Sequence, residues 1–235
     1  MERTCDGDRA GDRAAAHDPA HDPAHDPAQE AGHDPAHDGD DRAGSDSHAG
    51  FRILFVCTGN ICRSPLAERL TAAALGSGAP ITVVSAGTRA LPGRPMDEGA
   101  RRELVRLGGS AEGFASRPLT AEAVAHADLV LAASSEHRTT AVALHPVAAG
   151  RAFTIAEFGT LAGAVPADRV LDHRDPVRRA RALLEEAGAL RGLVRVDRPD
   201  IADPYGGSRR AYRAAARHIH DCLAVPVRLL TRLPA

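Results

Sequence analysis

Phe51-Arg-Ile-Leu-Phe-Val-Cys-Thr-Gly-Asn-Ile-Cys-Arg-Ser-Pro65 is the stretch on which the fold of this chain turns. It opens as FRILFV (51–56), an apolar, β-branched and aromatic run of the length of a buried strand. It leads into SPLAERLTAAAL (64–75), where Ser64 suits a helix N-cap and Pro65 the first helical position. Leu66, Leu70, Ala73 and Ala74 then recur on one face. Between strand and helix lie Cys57, then Thr58-Gly59-Asn60-Ile61-Cys62, then Arg63. A strand turning tightly into a helix aims several backbone N–H groups at one point, where the helix N-terminus adds positive potential. Gly59 and Asn60 are residue types that reach positive φ at low cost, as such a turn requires.

A cradle of this kind holds a tetrahedral oxyanion, and this one has a thiol at its floor. A helix N-terminus and a neighbouring arginine favour the thiolate of Cys57, which faces any bound phosphate as a nucleophile aimed at phosphorus. Arg63 supplies a planar fork matched to two phosphoryl oxygens. The order of parts predicts phosphoryl transfer through Cys57. The second chemical element is Ile201-Ala-Asp-Pro-Tyr-Gly-Gly-Ser208. Pro204, Gly206 and Gly207 make it a loop, and Ser208 can cap the helix that follows. Displacement by Cys57 leaves an oxyanion that must be protonated, and hydrolysis of the phosphocysteine needs a base. One carboxylic acid can serve both steps in turn. Asp203 is the candidate, with Asp197 and Asp200 close by in the chain. A thiolate and a protonated Asp203 required together predict a bell-shaped rate profile that peaks below neutral pH.

Further strands are expected at ITVVSAGT (81–88), DLVLAA (128–133) and RAFTI (151–155), with helices at 97–107, 119–127, 135–144, 177–187 and 208–230. Strands alternating with helices predict an α/β single domain: a central four-stranded parallel sheet flanked by helices on both faces, with the phosphate-binding loop after the first strand. Ser85 falls at the C-terminal end of the second strand, where ligands collect in open α/β sheets. Tyr212 is expected in the core, and Arg178, Arg179 and Arg181 on a solvated helix face.

Residues 1–49 read differently. HDPA occurs in tandem at 17–28 and again at 33–36, and six of the twelve histidines fall in this segment. Almost nothing there has apolar surface to bury, so a disordered tail (1–49) is expected ahead of the domain (50–235). Repeat expansion accounts for the His-Asp pattern more simply than metal chelation does. The segment carries 13 acidic residues against 4 arginines, a formal charge of −9, which against −2 for the whole chain leaves about +7 on residues 50–235. There is no lysine, so all 29 fixed side-chain cations are arginine. A cationic domain suits anionic, phosphorylated substrates. No apolar run has signal-peptide or membrane-spanning length, and Cys5, Cys57, Cys62 and Cys222 make no disulfide framework. A reduced, cytoplasmic setting is the expectation.

FVCTGNICRSPLAERL, together with VSAGT (84–88), ADLVLAAS (127–134) and DPYGGS (203–208), resembles the low-molecular-weight protein tyrosine phosphatases, over residues 51 to about 223. The resemblance implies hydrolysis of phosphotyrosine through a phosphocysteine intermediate, with no cofactor and no metal. It implies Cys57 as nucleophile, Asp203 as general acid and base, and Arg63 with the loop residues Thr58, Gly59, Asn60, Ile61 and Cys62 around the phosphate. Ser64 would donate to the thiolate, Ser85 brace the loop, and Tyr205 wall the slot. The implied partner is a phosphotyrosine protein, with a bacterial tyrosine autokinase in exopolysaccharide control as the setting. Neither nucleic acid nor membrane insertion is implied, and a monomer is expected. Cys62 is expected to trap oxidised Cys57 as a disulfide, visible as a linked peptide after peroxide treatment.

Two positions depart from the family pattern. Phe114 stands where members carry a histidine that bonds the loop asparagine, and Leu91 where relatives place an aromatic wall. Three alternatives remain. Related arsenate reductases use a downstream cysteine pair, and none lies between Cys62 and Cys222. Related protein arginine phosphatases tend to carry Thr where this chain has Ile61, whose bulk should crowd a branched guanidinium. A non-catalytic phosphate-binding module would need neither Cys57 nor Asp203.

Overall fold

The structure, a computed structural model, describes residues 50–231. The expectations for the 1–49 tail lie outside the described residues. The chain runs from β1 (Phe51–Cys57) through α1 (Arg63–Leu75) to β2 (Ile81–Gly87). It continues through α2 (Glu98–Arg106) and α3 (Ala121–Ala125) to β3 (Leu129–Ala132), then through α4 (Ser135–Leu144) to β4 (Ala152–Thr154). Four helices complete the domain: α5 (Ile155–Ala164), α6 (Ala167–Leu171), α7 (Pro176–Ala189) and α8 (Arg209–Thr231).

The four strands form one sheet in the order β2-β1-β3-β4, with every pairing parallel. Alternation along β1 sends Phe51, Ile53 and Phe55 to one face, where they pack with residues of α1, α5, α7 and α8. Leu54 and Val56 point to the other face, beside Val130, Ala132, Val124 of α3 and Ala141 of α4. The sheet is thus covered on both faces, as expected for parallel strands. From β1 the chain crosses to β2 on one side and later to β3 on the other. The C-terminal ends of β1 and β3 therefore part at a topological switch point, where open α/β sheets bind ligands.

Several boundaries differ from the sequence reading, each for a physical reason. Ser64 is not an N-cap: α1 starts at Arg63, its N-cap position is Cys62, and no side chain caps it. The Ser64 hydroxyl is engaged by Cys57 and Asn60 instead. Pro65 remains in the first turn, where its missing N–H has no helical acceptor. The fourth strand ends at Thr154, because Thr154 and Glu157 form a reciprocal capping box that opens α5 at Ile155. The sequence reading missed α5 and α6; Gly159 and Gly163 interrupt the helical pattern of α5. Arg179 is not on a solvated face. It is 4% exposed and donates to the carbonyls of Leu230, His173 and Arg174, tying the end of α8 to α7. Arg178 and Arg181 are exposed as expected.

Candidate active site

The loop between β1 and α1 is built around Asn60, the one non-glycine residue with positive φ among the described residues, at φ 51°. Three hydrogen bonds hold this left-handed turn. Its Nδ2 donates to Ser64 Oγ (3.0 Å) and to Ser85 Oγ (2.7 Å), and its Oδ1 accepts from the backbone N–H of Arg117 (2.8 Å). The side-chain amide is buried with both its hydrogens and its oxygen engaged, so the strained turn is fixed from three directions. The Arg117 backbone thus supplies an acceptor-side bond that Phe114 cannot. Phe114 is itself buried and lies under the Arg69 guanidinium, 5.5 Å from its centroid.

With the turn so held, the backbone amides of residues 58–62 donate to no protein acceptor among the described residues. These unused donors and the first turn of α1 form the cradle that the sequence predicts. Cys57 ends β1 at its floor, buried, with Sγ 3.0 Å from Ser64 Oγ. Asn60 already donates to that oxygen, so the serine proton is free for Sγ or, at 3.4 Å, for the Ala86 carbonyl. Behind Asn60, Ser85 donates to Glu68. Burial raises the Glu68 carboxyl above its ordinary value, and Ser85, Arg117 and Arg69 partly offset this. Glu68, which the sequence reading left out, anchors the far end of a buried chain running Glu68–Ser85–Asn60–Ser64–Cys57.

Arg63 is 6% exposed. Its Nη1 donates to the Ile201 carbonyl (3.1 Å) and its Nη2 to Asp203 Oδ2 (2.8 Å) and Thr58 Oγ1 (3.4 Å). Its Nε is buried with no partner among the described residues. A buried guanidinium with a free Nε–H beside unused amides is a donor set for an anion. Asp203 is about half exposed; its other oxygen accepts from the Tyr205 amide at 3.2 Å. The Asp203 loop is tied to β3 through the Ile201 N–H to the Ala133 carbonyl (2.8 Å). Tyr212 is buried, as expected for a core residue, and its hydroxyl also faces Asp97 and the backbone of Gly206. Burial and Asp97 push that hydroxyl up to about 12.

Cys57, Thr58, Gly59, Ile61, Cys62, Arg63, Asp203 and Tyr205 line one pocket, joined by Arg89, Leu91 and Arg94. The side chains of Asn60, Ser64 and Ser85 do not reach the pocket; they lie buried behind its floor. Cys62 is buried, and desolvation, Asp97 and Cys57 push its thiol well up from the ordinary cysteine range.

His137 is a neighbour of the loop that the sequence reading missed. It is buried on α4, with Nε2 2.8 Å from Thr58 Oγ1 and Nδ1 2.6 Å from Ser134 Oγ. Which ring nitrogen donates and which accepts depends on the tautomer, since the Thr58 and Ser134 hydroxyls can each do either. Burial, with Arg63 second, lowers the pKa of His137 below its ordinary 6.5. The signal was available: Ser134-Ser-Glu-His137 follows directly on a strand beside β1, and so opens at the switch point.

An anion cradle with a thiol at its base, after the first strand of a parallel α/β sheet, defines a cysteine-based phosphate-loop protein. The family model described as low molecular weight phosphotyrosine protein phosphatase matches residues 52–191. The chain belongs to that family. It is 44% identical over 99 residues to the low molecular weight protein-tyrosine-phosphatase Etp of Escherichia coli K12, a match covering 42% of this chain and 65% of that protein. The match therefore spans less than two thirds of that relative. It is 33% identical to the probable low molecular weight protein-tyrosine-phosphatase EpsP of Ralstonia nicotianae, covering 57% of this chain and 84% of that one. Among solved structures, the YwlE arginine phosphatase from Geobacillus stearothermophilus superposes with a TM-score of 0.55 at 29% identity, covering 75% of this chain and 90% of the other. The family match ends before Asp203. Its placement against Arg63 is a finding of the structure alone.

Proposed function

We propose that this protein is a protein-tyrosine phosphatase that hydrolyses phosphotyrosine through a phosphocysteine formed on Cys57. The observation that carries this reading is Arg63, which links the thiol-bearing cradle to the one carboxylate lining the same pocket, 2.8 Å away. Cys57 attacks phosphorus in line while Asp203 gives its proton to the leaving oxygen. Asp203 then takes a proton from water as that water cleaves the phosphocysteine. The amides of residues 58–63 and Arg63 bear the charge on the equatorial oxygens. Ser64 stabilises the thiolate as leaving group, and Tyr205 walls the slot. Cys62, in the same pocket, is the proposed redox partner of Cys57, and its high-lying thiol makes ring closure slow at neutral pH.

The domain is taken as residues 50–235, acting as a monomer. Cys57, Cys62 and Cys222 are free, which suits a reducing cytoplasm where a tyrosine kinase supplies the substrate. No helix among the described residues is long and apolar enough to cross a membrane. A phosphoarginine reading has support from the likeness to the YwlE structure, but Ile61 lines the pocket, and its bulk favours a flat phenol.

Turnover of phosphotyrosine, phosphoarginine and phosphoserine peptides between about pH 5 and 8 tests the proposal. Phosphotyrosine turnover should vanish in Cys57→Ser and fall roughly 10²–10³-fold in kcat in Asp203→Asn. A preference for phosphoarginine would overturn the substrate and leave the thiol chemistry standing. Undiminished turnover in Cys57→Ser would end the mechanism.

A further inference from the structure

The mouth of the pocket carries two arginines that the reaction does not use. Arg89 and Arg94 line it together with Leu91, and both are exposed. Their backbones are fixed. The Thr88 and Arg89 N–H groups donate to the carbonyls of Cys57 and Thr58, both at 2.9 Å, which ties this turn directly to the phosphate loop. Arg94 is clasped on both sides by Ser116: its N–H donates to Ser116 Oγ (2.9 Å), and its carbonyl accepts the Ser116 N–H (2.9 Å). The guanidinium groups have no hydrogen-bond or ion-pair partner among the described residues. By contrast, Arg101 pairs with Glu98, Arg106 with Glu103 and Arg191 with Glu157.

The charge balance of the pocket follows from its lining. Asp203 is its only carboxylate, and Arg63 already holds it. The field of Arg89 and Arg94 at the mouth is therefore uncancelled. Leu91 and Tyr205, 67% and 66% exposed, add apolar surface beside them. A residue that places its phosphate in the cradle carries its own backbone to this rim. Its sequence neighbours then meet two anchored, unpaired cations.

We propose that Arg89 and Arg94 form a recognition rim that selects phosphotyrosines flanked by anionic groups. The proposal rests on the phosphotyrosine reading of the site and adds the class of substrate it prefers. Carboxylates of Asp or Glu and a second phosphotyrosine share the required chemistry. Exposed charge pairs are individually weak, so the two together amount to roughly fivefold in kcat/KM, and salt screens the effect.

The test compares phosphotyrosine peptides of one frame with flanking Ala, Asp/Glu, Arg or a second phosphotyrosine, measured on the full chain at low and high salt. Asp/Glu peptides should exceed Ala peptides about fivefold in kcat/KM, mainly through KM, with the gap closing as salt rises. Arg-flanked peptides should be worst. In Arg89→Glu/Arg94→Glu the order should invert, a gain that misfolding cannot produce. A preference only for the second phosphotyrosine would assign the rim to phosphate rather than carboxylate and overturn the Asp/Glu form of the proposal. Equal turnover of Ala, Asp/Glu and Arg peptides overturns the rim and leaves the phosphatase reading intact. No turnover of any phosphotyrosine peptide overturns both.

Discussion

Asn60 shows how much of this site depends on one residue. It adopts φ 51°, and its side chain closes three buried hydrogen bonds that reach from β2 to the Arg117 backbone. Two substitutions separate these contributions. Asn60→Gly and Asn60→Ala lose the same bonds, but only alanine must be forced into the left-handed region. Chemical denaturation should place Asn60→Ala about 1 kcal/mol below Asn60→Gly. Both should lose most activity, because the free amides no longer converge. Equal stability of the two variants would show that the turn relaxes once its bonds are gone. The thiol, the arginine and this asparagine were legible in the sequence because chemistry forces their types into a short spacing. His137 was missed, because its one signal is its place in the turn after β3, and its partner, Thr58, lies 79 positions away.

The elements pack with differing tolerance, and two glycines of α5 measure it. A Cβ on Gly159 would lie 2.3 Å from the Cys222 carbonyl oxygen and 3.0 Å from its Cα, so backbone meets backbone where α5 crosses α8. A Cβ on Gly163 meets nothing within 4 Å. Gly159→Ala should therefore cost about 3 kcal/mol by pushing the two helices apart, while Gly163→Ala should gain about 0.5 kcal/mol from helix propensity. Thermal melts of the two variants read the difference, and a silent Gly159→Ala would mean that the crossing yields easily. The same glycines explain why α5 escaped the sequence reading. Close helix approach demands a residue that weakens the local helical signal, so packing and propensity conflict there. The parallel sheet and the coverage of both its faces were readable because β1 and β3 are apolar runs between helical segments. The exact start of α1 was not, because Ser64 serves Cys57 rather than its own helix.

At the scale of the whole molecule, protons couple the site to stability. The pKa of His137 in the folded chain lies below its ordinary 6.5, through burial and Arg63. Glu136, Asp203 and Asp200 oppose that shift from α4 and the Asp203 loop. The unfolded chain then binds more protons than the native one as pH falls below about 6.5, so stability is full above that value and declines below it. The fall in melting temperature on acidification should be smaller in His137→Gln, which keeps a hydrogen-bonding side chain but cannot titrate. His218, also lowered by burial, adds to the slope with the same sign, and Glu68, raised by burial, opposes it at lower pH. A slope unchanged in His137→Gln would move the proton linkage elsewhere.

The contact between Arg63 and Asp203 has a last consequence. In the proposed reaction, the fork that would grip the phosphoryl group already grips the protein's own carboxylate, so arrival of substrate is an exchange of one anion for another rather than a simple docking. That exchange lowers the net gain on binding, and it does so equally for inorganic phosphate leaving the cradle. An internal competitor of this kind discourages the product from lingering and keeps the pocket ready for the next turnover.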